Sequence, residues 1–398
     1  MANETNYKFT QALFYKEDAE GVIPTNPLAV RTAGVINFSL KDTQQTETNP
    51  TLDNAGQASK KDRGKSNYDG NIECKLMGDM MPVLATHVLG EPATISASTV
   101  EAWTLTTPYV KYDPFSETLA ANQIVTHSNG TNMLVCYTAG TSGGTEPSIT
   151  TEEVGDIITD GTVEWILVEN LQDYDGASEA CIPSCGIEFT ATSGCGGVPV
   201  AFKKRFEGVY LNSLELNKTT GGVIHKYSIP VLARKASDDY TDPDFTSIVD
   251  EAGYTEQDMI DFAFKYDEMK VLVDGVEPID STMFRMTINR NTAYEDGVAI
   301  DTKVSNTPIM AVDGELKLKF TKEEYAKCFN NESAVVKILM GNSRGEQAQF
   351  VFNNVERDRV DADFSTERFA EITIPLTADG NNVYNTVDYL IRSQTDYQ

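Results

Sequence analysis

The sequence is poor in the residues that most often carry chemistry. Six cysteines and three histidines are spread over 398 residues, so no disulfide framework is needed to hold a core of this size. Cys181, Cys185 and Cys195 fall close together, but the first pair has CxxxC spacing, the third stands alone and no histidine is nearby. Four zinc ligands do not assemble from that pattern, and ordinary thiols are expected. His87, His127 and His225 have no nucleophile or carboxylate at diagnostic spacing. GxSxG, HExxH and phosphate-cradling glycine loops are missing as well. The expectation is a protein that is not an enzyme and that carries no cofactor and no metal. No apolar run approaches the ~18 residues of a membrane span. Residues 1–8 lack the basic-then-apolar profile of a secretory signal, so neither export nor a membrane anchor is expected.

Positive charge is the other shortage. Lys and Arg total 32 against 60 Asp and Glu, a formal net charge of −28. Gripping nucleic acid requires cations that replace counterions at the phosphates, and this balance opposes it. Asp238, Asp239, Asp242 and Asp244 lie in an acidic stretch without the glycine-centred order of a calcium loop, so a solvated surface loop is expected. Hydrophobic residues nevertheless make up 40% of the chain. That is a globular composition, long enough for two or three domains of roughly 100–200 residues.

What fills the chain is strand pattern. Residues 7–15 and 31–41 read as strands. Ile36, Phe38 and Leu40 share one face of the second, and Asn37, Ser39 and Lys41 share the other. A polar segment, 43–67, then reads as one long connection. Alternation resumes over 71–76, with Ile72, Cys74 and Leu76 opposite Asn71, Glu73 and Lys75. Residues 79–89 read as a short helix. Residues 209–217 and 223–229 read as a hairpin around Lys218-Thr219-Thr220-Gly221-Gly222, and 256–264 as a short helix. Further strands are expected at 269–273, 283–289, 309–320, 333–340, 347–354 and 368–376, interrupted by a helix at 322–329. Strands predominate and the βαβ rhythm is absent, so the fold class is all-β to β-rich α+β.

Residues 101–169 differ in character. They hold both tryptophans, Trp103 and Trp165, and ten acidic residues against a single lysine, Lys111. Their middle reads Cys136-Tyr137-Thr138-Ala139-Gly140-Thr141-Ser142-Gly143-Gly144-Thr145-Glu146-Pro147, and they close on Asp160-Gly161-Thr162-Val163-Glu164-Trp165. This resembles a small β-module of phage tail and fibre proteins with a GTSG-x-x-EP, DG-x-V-x-W pattern. The resemblance implies a module inserted at 100–170 and carbohydrate binding through surface glycans. Trp103, Tyr137 and Trp165 are then either the core of a module too small to have another, or a ligand platform.

The rest of the chain, 1–99 and 171–398, is similar to the major tail tube proteins of long-tailed phages. The opening Tyr15-Lys16-Glu17 with Gly21-Val22-Ile23-Pro24 resembles the family's Y-x-E…G-x-x-P stretch. The polar segment ending Lys61-Asp62-Arg63-Gly64-Lys65, the strand Tyr68–Leu76, the stretch Phe206–Leu214 and the stretch Gly275–Arg290 follow in the family's order. The resemblance implies a discontinuous β-sandwich or barrel domain that self-assembles into stacked hexameric rings. It also implies a place in the virion tail, assembly in the host cytoplasm, and partners such as the tape measure and tail terminator proteins. DNA would pass through the lumen without specific binding. Lumen-lining candidates are Asn37, Ser39, Asn71, Glu73, Ser213, Glu215 and Asn217, with an acidic lumen expected to let DNA slide. Lys60, Lys61, Arg63 and Lys65, the densest basic cluster, are candidates for contact with a neighbouring ring. The competing reading is a carbohydrate-binding tail fibre or adhesin-type protein.

Overall fold

A computed structural model describes residues 7–25, 29–32, 37–48, 61–116, 121–179, 181–193, 201–219, 226–239, 241–248, 263–265, 268–278, 281–295, 303–305, 310–358, 371–378 and 386–394. Strands dominate these residues, and the two helices among them, Met80–Val88 and Lys322–Phe329, are short. The architecture is the β-rich one expected. None of the described helices is long and apolar enough to cross a membrane.

Two antiparallel sheets share one core. The first runs in the order Ala29–Thr32, Tyr7–Lys16, Cys185–Ser193, Ala201–Leu211, Lys226–Ala233, Lys61–Lys75 and Asn37–Phe38, with Lys41–Thr48 also paired to Lys61–Lys75. The second runs Ser213–Thr219, Ser281–Asn289, Ala311–Lys319, Glu371–Ala378, Gln347–Arg357, Val387–Ser393, Gln172–Ala177 and Thr94–Ala97. Ser333–Gly341 branches from Gln347–Arg357 and carries Met269–Val273. Period-2 patterning places the core: Ile372, Ile374 and Leu376 are buried, while Thr373, Pro375 and Thr377 are exposed. Phe14, Ile187, Phe206 and Ile229 of the first sheet join Leu214, Met286, Leu316 and Ile374 of the second in a single cluster.

Helix Met80–Val88 belongs to that cluster and is buried at every position, as a helix apolar on all sides must be. Arg290 closes its C-terminal end. Its Nη2 donates to Leu89 O (2.6 Å), its Nη1 to Glu179 O (2.8 Å) and its Nε to Val88 O, satisfying carbonyls that a helix end leaves without intrahelical partners. Burial pulls this guanidinium down to about 10.

The hairpin expected from 209–217 and 223–229 is kept only at its base among the described residues, where Tyr210 and Leu211 pair with Leu232 and Val231; beyond Asn212 the two arms part. The chain leaves the first sheet at Leu211 and enters the second at Ser213, where Ser213–Thr219 pairs with Ser281–Asn289, while Lys226–Ala233 pairs with Lys61–Lys75. Asn212 makes the switch: its N–H donates to Pro230 O (2.9 Å) and its carbonyl accepts from Arg290 N (2.8 Å). Its Oδ1 accepts from Thr292 N (2.8 Å) and Thr292 Oγ1 (2.7 Å). Alternation marks which face is buried but does not choose the partner strand.

Two further expectations are corrected. Of the strand expected over 31–41, residues 33–36 lie outside the described residues, and the rest serves different partners: Ala29–Thr32 pairs with Tyr7–Lys16, while Asn37–Phe38 and Lys41–Thr48 pair with Lys61–Lys75. Leu40 crosses directly over Gly70, where an added Cβ would lie 2.4 Å from Leu40 Cα. The polar segment 43–67 is not one loop, because Lys41–Thr48 and Lys61–Lys75 pair as a long ribbon, with Gln44 opposite Ser66, Thr46 opposite Arg63 and Thr48 opposite Lys61. Its residues are polar on both faces, so no hydrophobic period announced it. Of the helix expected at 256–264, residues 256–262 lie outside the described residues. Ala263 and Phe264 are extended against Met77 and Leu76.

Residues 101–169 build a separate five-stranded sheet in the order Ile157–Asp160, Val163–Glu169, Asn132–Thr138, Ile124–Thr126 and Glu101–Ala102. One side packs its own cluster around Trp165 and Leu134. The other side, with Ile124, Val135 and Leu171, lies against the turn that joins Ser333–Gly341 to Gln347–Arg357. A Cβ at Gly345 would stand 3.0–3.2 Å from those three side chains. Gln347 Nε2 donates to Pro114 O (2.9 Å) and Ser116 O (2.8 Å) at the same seam.

Candidate functional surfaces

The seven lumen candidates fall into two groups on two different sheets. In the first sheet, Ser39 and Asn71 are locked together: Ser39 N donates to Asn71 O (3.0 Å) and Asn71 N to Ser39 Oγ (2.9 Å). Asn71 Nδ2 continues the row to Ser228 Oγ at 2.5 Å. Asn37 stands opposite Glu73 in register, and Glu73 opposite Ser228. The inward neighbours Leu40, Ile72, Leu76, Tyr227, Ile229 and Val231 are buried, so period 2 turns Ser39, Asn71, Glu73 and Ser228 away from the core. The side chains of Ile36, Phe38 and Cys74, expected inward, lie outside the described residues. Lys41 and Asp69 pair in register, so the described part of this face is polar and carries both signs of charge.

Ser213, Glu215 and Asn217 belong to the second sheet, at its edge. Leu214 and Leu216 between them are buried as expected, and Asn217 Nδ2 donates to Glu215 Oε1 (2.8 Å). Their outward face continues into charge pairs along the sheet, Arg285–Glu315 (3.2 Å) and Lys317–Glu371 (2.6 Å). Ser228 and Asp69 were missed as members of the first face, because the pairing that brings them there spans distant sequence.

The basic cluster sits at the far end of the polar ribbon. Lys61 and Arg63 are in register with Thr48 and Thr46, and Lys65 falls at the irregularity between Gln44 and Thr46. Lys60 lies outside the described residues.

In the small sheet the aromatic residues divide. Trp165 is fully buried and meets Tyr109 edge-on at 4.7 Å between ring centroids. Trp103 is half-buried. Both indoles donate to one buried carboxylate oxygen, Asp160 Oδ2, at 2.9 Å from Trp103 and 3.2 Å from Trp165. Gly143 N donates to the other oxygen, Asp160 Oδ1, at 2.6 Å. Asp160 therefore ties the glycine-rich loop to both tryptophans. Gly161 follows at φ 66 and would drive a Cβ to 2.4 Å from Thr141 O, which explains why glycine stands after the aspartate. The D-G and W of the sequence pattern thus describe one hydrogen-bonded hub, and Asp160 itself was legible only as part of that spacing. Tyr137 is the exposed member of the trio at 39%, with Lys111 Nζ 5.6 Å from its ring centroid.

No cluster of three or more His, Cys, Asp or Glu suited to a metal occurs among the described residues. Cys136, Cys185 and Cys328 are buried free thiols and Cys181 an exposed one; burial pushes the Cys136 thiol up to about 11 and Cys185 well above its usual range. Such thiols are poor nucleophiles.

A family model described as phage tail tube protein matches residues 9–385. No curated protein matches the chain.

Proposed function

The chain belongs to the phage tail tube protein family, and from that premise we infer that it is a structural, non-enzymatic subunit whose copies form stacked hexameric rings around a channel for DNA ejection. The observation that carries this reading is the first sheet, with an apolar inner face, a polar outer row through Ser39, Asn71 and Ser228, and a long ribbon beyond it. Closing such sheets into a barrel removes the free strand edges that otherwise invite uncontrolled pairing. Asn37, Ser39, Asn71 and Glu73 line the lumen in this reading. Ser213, Glu215 and Asn217 extend that lining only where the edge of the second sheet reaches it. A polar surface with both signs of charge lacks the dense cations that would fasten phosphates, so DNA passes without specific binding.

Lys60, Lys61, Arg63 and Lys65 meet the neighbouring ring, where the excess of acidic residues supplies their partners. Residues 100–170 form an inserted GTSG-type module on a tube domain made of 1–99 and 171–398. Tyr137 is the ring through which that module would contact surface glycans, since both tryptophans already serve Asp160. The partners are further copies of this chain and other tail proteins, the tape measure and terminator among them. Assembly takes place in the host cytoplasm before incorporation into the virion tail. Electron microscopy of the purified chain tests the reading: hollow tubes or six-fold rings are expected. Monomers that bind glycans and never polymerise would replace it with a fibre or adhesin role.

A further inference from the structure

The turn on which the small sheet rests conceals two neighbouring carboxyl groups. Glu346 is completely buried and Asp79 is 7% exposed. Asp79 stands just before helix Met80–Val88, yet its side chain caps no helix N–H and interacts with Glu346 instead. Asn342 Nδ2 donates to Glu346 Oε2 (2.7 Å), but Oε1 accepts from no N–H or O–H donor among the described residues. The carboxyl also abuts the backbone before the helix, since a Cβ at Gly78 would lie 2.3 Å from Glu346 Oε2.

Two carboxylates enclosed this closely cannot both be ionised, and a buried acceptor without a donor is costly. One proton placed between them removes both problems. We propose that Asp79 and Glu346 share one proton at neutral pH, and that this proton fastens the 341–347 turn to the helix start and so keeps the seat of the small sheet in place. The proposal does not depend on ring assembly.

Of the other charged groups around the pair, Arg344 draws Glu346 down by its charge, but burial and Asp79 outweigh it. Arg344, from the same turn, holds its guanidinium against Gly155 of the small sheet's loop, 2.8 Å from where a Cβ would stand. Tyr112, from the small sheet, donates to Gly345 O (3.4 Å) and stays protonated through burial. Arg392, from the last strand, is engaged by Asp173 at 2.8 Å. Asp113, beside Tyr112, adds only negative charge. Burial, followed by the Asp79 charge, moves Glu346 well above the usual carboxylate range. A raised carboxyl contributes stability that is complete below about 4.5, its ordinary value, and is lost as pH climbs towards the raised one. The loosening therefore grows as pH rises above that ordinary value.

Hydrogen exchange on the full chain, corrected for intrinsic rates, tests this between about pH 5 and pH 8. Protection of the 342–347 amides is expected to fall with rising pH by tenfold or more, about one unit of pKa displacement. Glu346→Gln, which supplies a fixed N–H donor, and Asp79→Asn are each expected to flatten the profile. A flat profile in the wild-type chain overturns the proposal without any variant. So does a slope that persists in Glu346→Gln, or in Asp79→Asn where the first variant fails to fold.

Discussion

The small sheet and the two-sheet body solve the same problem of burial in different ways. The small sheet concentrates its order in one residue: Asp160 receives both indoles and the Gly143 amide, with Trp165 as the largest side chain beneath. The body distributes its order over a cluster drawn from both sheets and a buried helix, and a polar tie such as Glu17, which accepts from Gly21, Gly208 and Ser184, stands beside that core rather than in place of it. The difference teaches that a region too small to spread its core must stake its stability on a hub. A larger one tolerates losses anywhere except where polar groups are enclosed.

The sharpest way to break this contrast is Trp165→Ala. It is expected to cost the small sheet about 3–5 kcal/mol and to open residues 101–169 to proteolysis while the main unfolding transition keeps its midpoint. A matching fall in the main transition would show that the two regions share one cooperative unit. The next effect belongs to the body. His87 is fully buried, its Nδ1 lies 2.9 Å from Pro183 O, and burial holds it down to about 4 from an ordinary 6.5. A depressed histidine contributes stability that is complete above 6.5 and lost as pH falls towards 4, here roughly 3 kcal/mol. Unfolding free energies of wild type and His87→Leu should differ in their acid slope by about that amount, in the body's transition alone. The smallest effect sharpens the contrast from the surface. Glu315→Ala breaks the half-exposed Arg285–Glu315 pair and should change body stability by no more than about 0.5 kcal/mol. Paired thermal melts with the wild-type chain measure it.

The two regions were also unequally legible. The alternation through Leu214 and Leu216 placed those residues in the core, and helix 322–329 was found at its observed bounds. The Asp-Gly…Trp spacing marked the small sheet, because a hub leaves its members at fixed distances along the chain. The polar ribbon escaped, since Gln44, Thr46, Ser66 and Arg63 offer no apolar face to count. The crossing at Asn212 escaped too, because its partners Pro230, Arg290 and Thr292 are remote in sequence. The tail-tube resemblance, with period 2 choosing the face, groups Ser213, Glu215 and Asn217 with Asn71 and Glu73. Pairing put the two sets on separate sheets.

Asn212 has a mechanical consequence. One residue joins a ladder of the first sheet to the second sheet through Pro230 on one side and Arg290 on the other. Arg290 passes the connection on to the carbonyls at the helix end. Tension along the strand Lys226–Ala233 therefore reaches the opposite sheet as shear across several hydrogen bonds loaded together.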